Sequence, residues 1–136
     1  MEPYVKRETH NGITSIEFFH PQSNSLPAQL LSELATAITQ AGEDPATVVI
    51  ILRSAGEKSF CAGASFDELL AVTTLEEGTR FFSGFANLIN AMRSCKKLIV
   101  GRIHGKAVGG GVGIIAACDY ALATQESAVK LSELAI

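Results

Sequence analysis

His104-Gly105-Lys106-Ala107-Val108-Gly109-Gly110-Gly111-Val112-Gly113-Ile114-Ile115-Ala116-Ala117-Cys118 lies between two runs that read as strands, Leu98 to Ile103 and Asp119 to Thr124. Its second half carries small, uncharged residues at helical spacing, which predicts a buried helix that its neighbours approach closely. Three successive glycines let the backbone turn tightly and enter that helix with its first N–H groups bare. Those groups have no partner inside the helix, and the helix dipole adds partial positive charge, so such an end binds an anion or an incipient oxyanion. Strand, glycine turn, helix and strand in this order form one unit of an alternating α/β architecture.

The alternation extends toward the N-terminus. Val5 to Thr9 and Ile13 to Phe19 flank His10-Asn11-Gly12, and Asn-Gly between β-prone runs predicts an antiparallel hairpin. After the loop Pro21-Gln22-Ser23-Asn24-Ser25, the residues Leu30, Leu31, Leu34, Ala37, Ile38 and Ala41 fall on one helical face, with Gly42 as the expected stop. Val48 to Leu52 is apolar at every position and is expected to be buried on both faces. Gly56 to Ala64 reads as a glycine-bearing loop, followed by a short helix around Phe66 to Val72 and a longer one from Leu75 to about Ser94. In the longer helix Phe81, Phe82, Phe85, Leu88, Ile89 and Met92 form a stripe whose simplest reading is core packing.

Composition narrows the function classes. A chain of 136 residues, 47% apolar and 18% charged, is neither disordered nor fibrous. A net charge of −3 supplies no positive field for a phosphate backbone, so nucleic acid is not an expected partner. The N-terminus lacks the apolar core of a signal peptide, and the longest uncharged stretch, Ala107 to Cys118, falls short of the roughly 20 residues a membrane helix needs. Cys61, Cys95 and Cys118 are odd in number and widely spaced, so a reducing, cytoplasmic setting without a disulfide framework is expected. His10, His20 and His104 form no pair at metal-ligand spacing, and no metal is expected. Ala128 to Ile136 is apolar-rich with no turn residue, as expected of the front part of a longer protein.

Two glycine loops carry the chemistry. Gly56-Glu57-Lys58-Ser59 is not a phosphate-binding loop, because Glu57 separates glycine from lysine; Gly109 to Gly113 is not a dinucleotide fingerprint, because Ile114 stands where the last glycine is needed. Phe60-Cys61-Ala62-Gly63-Ala64 is built from small residues that permit close backbone approach to a ligand. Either loop taken alone reads first as a tight turn packed on the core. The two converging would present a pair of N–H donors to one oxygen.

With Ser59-Phe60-Cys61-Ala62-Gly63-Ala64, then His104 to Gly111, then Ala117-Cys118-Asp119-Tyr120, the sequence resembles the crotonase superfamily, the enoyl-CoA hydratase/isomerase proteins. The family pattern is an F-x-A-G-A-D loop, an N/H-G-x-A-x-G-G-G helix start and a C-D strand entry. Asn24-Ser25-Leu26 after Pro21 is similar to its P-x-x-N-A-L, and Leu131-Ser132-Glu133-Leu134 to its P-E-I/V segment. The likeness spans nearly the whole chain. It implies an α/β spiral of repeated ββα units, with residues 1–136 as the N-terminal acyl-CoA-binding core and the C-terminal helical part absent. It also implies a homotrimer or a hexamer of two trimers. An acyl-CoA thioester is the implied substrate, with no separate cofactor.

The resemblance makes the N–H groups of Ala64 and Gly110 the oxyanion-hole donors. Asn24, Ala62, Gly63 and Gly109, together with those two residues, become candidate contacts for substrate and CoA. Hydratases of the family use two glutamates. The first position holds Gly113 here, and Glu133 matches the second. One carboxylate is compatible with an isomerase, or with a lyase like the methylglutaconyl-CoA hydratases. A non-catalytic acyl-CoA-binding homologue is the alternative. Ser65-Phe66 replaces the usual Asp-Leu. Taken by itself, Glu133 reads as a solvated surface carboxylate, whereas its apolar neighbours Val129, Leu131, Leu134 and Ile136 allow a buried one. Asp119 is expected to fix a turn, and Glu76, Glu77 and Arg80 to form a solvated helix face.

Overall fold

The computed structural model describes residues 1–135. The chain runs β1 (Tyr4–His10), β2 (Ile13–Phe19), α1 (Ala28–Glu43), β3 (Val49–Ser54), β4 (Ser59–Cys61), α2 (Phe66–Ala71) and α3 (Leu75–Ser94). It continues through β5 (Leu98–Ile103), β6 (Lys106–Val108), α4 (Gly110–Ala117), β7 (Tyr120–Ala123), β8 (Val129–Lys130) and a 3₁₀ turn at Ser132–Ala135. Two sheets result, one of five strands in the order β1-β2-β3-β5-β7 and one of three in the order β4-β6-β8. Among the described residues only the β1–β2 pair is antiparallel. Its turn places Asn11 at φ 51° and Gly12 at φ 81°, the left-handed pair whose twist matches that of the strands.

The core lies between the large sheet and α1. All six apolar residues expected on the inner face of α1 are buried there, against Ile16, Phe18, Ile50, Leu52 and Ile99 of the sheet. The helix does not stop at Gly42 but passes through it to Glu43. Gly42 is instead a contact point, since a Cβ there would lie 2.9 Å from Cys95 Sγ. Only Ile50 and Leu52 of the Val48 to Leu52 run are fully buried, and Val48 is 73% exposed. The physical reason is that α1 covers one face of β3, while Val49 and Ile51 share the opposite face with Arg53, which pairs with Glu17 at 3.1 Å; Val48 precedes the strand.

The small sheet was hidden in the sequence. β4 lies within the segment read as a loop, and β6 within the stretch that precedes the helix. Strands of two or three residues are too short to show a period, and only their mutual pairing creates them. The stripe of α3 also divides: Leu88 and Met92 are buried, Phe82 is 70% exposed, and Phe81, Phe85 and Ile89 are half-buried. Local capping is as the residues dictate. Thr74 Oγ1 accepts from the Glu77 amide at 3.1 Å, and Ser65 Oγ accepts from the Glu68 amide at 3.3 Å. Glu68 then reaches across to accept from the Ala28 amide at 2.8 Å, tying α2 to the start of α1. Asp119 does fix a turn: its Oδ2 accepts from the Ile99 amide at 2.7 Å, and its own amide donates to Ile99 O at 2.9 Å. Among the described residues no helix is long and apolar enough to cross a membrane.

Candidate active site

The three catalytic candidates named from sequence lie just beyond the C-terminal ends of three adjacent parallel strands. Ala64 follows β4, Gly110 follows β6, and Glu133 follows β8. Parallel pairing aims all three chain segments the same way, and the crevice outside the carboxyl ends of such strands is where open α/β structures bind ligands.

The two glycine loops touch. Gly63 sits at φ 87°, and a Cβ on it would lie 2.9 Å from Val108 O and 3.5 Å from Gly110 N. The residue before Ala64 therefore abuts the amide of Gly110. The first turn of α4 is wedged against the end of β4, where a Cβ on Gly111 would stand 2.6 Å from Cys61 O. Among the described residues, neither the Ala64 nor the Gly110 amide donates to a backbone acceptor outside regular structure. Gly109 enters the helix at φ 56° and ψ −122°, a conformation open to glycine and costly for any L side chain.

Glu133 arrives by strand pairing. The amides of Ala107 and Gly109 donate to Ala128 O and Lys130 O, both at 2.9 Å, which seats β8 beside β6. The 3₁₀ turn then brings Glu133 Oε1 to 2.9 Å from where a Cβ on Gly109 would be. A carboxylate thus rests on the backbone one residue from a bare helix amide. Glu133 itself is exposed. The buried alternative does not hold, because Val129 and Leu131 are 62% and 59% exposed and form no enclosing pocket. The side chains of Leu134 and Ile136, the other neighbours invoked for burial, lie outside the described residues.

Asn24 does a different job from the one expected. Its Nδ2 donates to Ala55 O at 2.7 Å and to Ser59 O at 2.9 Å, while its Oδ1 accepts from the His20 amide at 2.9 Å. The side chain, 3% exposed and at φ 59°, is wholly committed to tying the β3–β4 loop and the first residue of β4 to the end of β2. Through its backbone the segment also steadies the donor loop, since Leu26 N donates to Gly63 O at 2.8 Å and Ala62 N to Asn24 O at 3.4 Å. Asn24→Ala is expected to destabilise the fold by about 2–4 kcal/mol in chemical denaturation, because it strands three backbone groups. A cost under about 0.5 kcal/mol contradicts the clamp.

Ala62 does face a cleft, of about 500 Å³, whose walls include Lys58, His104, Lys106 and Val108. Burial first, then the Arg102 charge, hold the His104 imidazole below its usual 6.5, with a weaker opposing pull from the Gly56 backbone. The unfolded chain therefore takes up this proton first. Stability is fully present above pH 6.5 and is lost as pH falls through the lower folded-state value. Between about pH 7 and 5, the Tm of His104→Gln should fall less than that of the parent; equal slopes would refute this. Burial pushes the Cys61 thiol up to about 12, against an opposing hydrogen bond from the Gly63 backbone, so it packs beneath the donor loop as a neutral group. No group of three His, Cys, Asp or Glu residues placed to hold a metal occurs among the described residues.

The sequence pattern of enoyl-CoA hydratase/isomerase matches residues 8–136. The chain belongs to the enoyl-CoA hydratase/isomerase family. This family member is 32% identical over 124 residues to a (7aS)-7a-methyl-1,5-dioxo-2,3,5,6,7,7a-hexahydro-1H-indene-carboxyl-CoA hydrolase of Rhodococcus jostii, covering 91% of the chain and 48% of the relative. A Delta(3,5)-Delta(2,4)-dienoyl-CoA isomerase from peroxisomes of Arabidopsis thaliana is 28% identical over 98% of the chain and 54% of its own length. The crystal structure of an enoyl-CoA hydratase from Mycobacterium smegmatis superposes with a TM-score of 0.91 at 26% identity, over 98% of the chain and 52% of that structure. The chain spans about half the length of these relatives. The crotonase-like α/β architecture expected from sequence is therefore the fold observed.

Phe85 packs against the core as the stripe predicts, and with Ile89 it also lies against Gly110 and Gly113 of α4. The clue in the sequence to this second contact is their one-turn spacing on one helix, matched by Gly110 and Gly113 on another.

Proposed function

We propose that this family member binds an acyl-CoA thioester with its carbonyl oxygen between the amides of Ala64 and Gly110, and that Glu133 moves the proton at C2. The observation that carries this reading is the departure of all three elements from the C-terminal ends of β4, β6 and β8. As the C2–H bond breaks, its electron pair enters the C1–C2 bond and the carbonyl oxygen becomes an enolate oxygen. Each backbone donor aimed at that oxygen contributes about 3–4 kcal/mol to the transition state. Both donors belong to the main chain and are set before substrate arrives, so little reorganisation accompanies the reaction. Glu133, beside Gly109, is close enough to the hole to act on the carbon next to the held carbonyl. The cleft beside Ala62, with Lys58 and Lys106 on its walls, would receive the polar end of the CoA.

Proton exchange tests this without presuming the acyl group. In D₂O the intact protein should exchange the C2 hydrogens of a saturated acyl-CoA, followed by NMR, and Gly110→Ala should slow that exchange. Calorimetric binding of the same thioester with no exchange would favour the non-catalytic acyl-CoA-binding alternative.

A further inference from the structure

Ala64 is bound to one short segment of the chain on both of its sides. Before it, the Leu26 amide donates to Gly63 O at 2.8 Å, and Leu26 forms a parallel bridge with Ala64 itself. After it, the Ala28 amide donates to the carboxylate of Glu68, 2.8 Å from one oxygen and 3.2 Å from the other. The first strap is main chain. The second depends on a single side chain.

Both ends of that second strap need it. α1 opens on Pro27, which gives no side-chain cap, and its first turn holds no acidic residue. The Glu68 carboxylate arrives from another helix to supply the missing acceptor, with the charge that a helix start favours. α2, for its part, has six residues and buries none of them, too short a helix to persist unaided. Among the described residues its other side-chain hydrogen bonds are the Ser65 cap on the Glu68 amide and a contact at 3.5 Å from Gln22 Nε2 to Asp67 Oδ2, at the outer limit for such a bond. Ser65 alone separates Ala64 from α2, and it is 6% exposed, so no slack linker absorbs a movement of the helix. We infer that Glu68 is a positioning residue for the Ala64 donor: by capping α1 from α2 it fixes the chain beyond Ala64 and, with it, the direction of the Ala64 N–H. The inference rests on the proposed role of that amide. Glu68 acts through the backbone and takes no part in proton transfer.

The test uses hexanoyl-CoA labelled with ¹³C at the thioester carbonyl, bound to the intact protein. Difference infrared spectra read the polarisation of the carbonyl, and NMR in D₂O reads exchange of the C2 hydrogens. In the parent the carbonyl band should lie below that of the free thioester. Glu68→Ala, and Glu68→Asp, which is one methylene too short to reach Ala28, should move the band back toward the free value and slow exchange about tenfold, short of the full loss of a donor. Calorimetric affinity should stay within about threefold, since a donor aimed at developing charge acts mainly in the transition state. Glu68→Gln keeps an acceptor at full reach and should recover most of both signals. Parental band and exchange in folded Glu68→Ala or Glu68→Asp, whatever their Tm, would make Glu68 a cap of α1 only and overturn the inference, leaving the proposed function standing. A loss in Glu68→Gln as large as in Glu68→Ala would trace the effect to charge and overturn it too. Should Glu68→Ala fail to fold, Glu68→Asp decides. A bound carbonyl with an unshifted band in the parent would remove the proposed oxyanion hole and this inference together.

Discussion

Glu133→Gln is expected to lower kcat on an enoyl-CoA by about 10²–10⁴-fold, the range a positioned general acid/base contributes. The amide is nearly isosteric and keeps hydrogen-bonding capacity but cannot accept the C2 proton. KM and calorimetric affinity for the thioester should change little, since in the proposed binding mode backbone amides grip the carbonyl and other residues the CoA. Stability should also hold, because Glu133 is exposed and no hydrogen bond of the fold depends on its carboxylate among the described residues. A kcat within threefold of the parent would take Glu133 out of the mechanism. An equal loss in Tm would recast it as a structural residue.

Gly109→Ala is expected to damage the proposed site on two counts. The backbone at φ 56°, ψ −122° lies where L residues cost of order 1–3 kcal/mol. The new Cβ would also sit 2.9 Å from Glu133 Oε1, so relief of either problem moves the carboxylate away from the proposed oxyanion hole or rotates the Gly110 amide out of it. Loss of one such donor costs about 10²–10³ in kcat, and displacement of the base adds to it. Steady-state kinetics beside a thermal melt separate the two effects. The expected result is a folded protein with at least a hundredfold lower kcat. Near-parental kcat would show that the donor and the base are not coupled through Gly109.

Much of this protein could be read from the chain itself, wherever the information is local or periodic. Asn11-Gly12 names its hairpin because both residues tolerate left-handed φ. The spacing of Leu30, Leu31, Leu34 and Ile38 names the buried face of α1 because a helix repeats every 3.6 residues. The glycine run marks the bare helix start because few other sequences can adopt that turn. Ala64, Gly110 and Glu133 were legible as ordered motifs, though not as neighbours in space.

What stayed hidden was set by partners far away in the chain. Position 42 reads as a helix stop until Cys95 is seen to need the space. Asn24 reads as a ligand contact until Ala55, Ser59 and His20 claim its amide group. Phe85 and Ile89 read as a core stripe, and nothing local says that Gly110 and Gly113 of α4 lie beneath them. The sequence by itself determined the α/β alternation, the glycine-marked helix start and the presence of a carboxylate at position 133, since each depends on residue type and short-range geometry. Only the tertiary structure decided that β4, β6 and β8 lie side by side, bringing Glu133 beside Gly109 at the start of α4. Strands two or three residues long have no intrinsic preference strong enough to form alone, so their pairing, and the site built on it, exists only once the whole sheet has assembled.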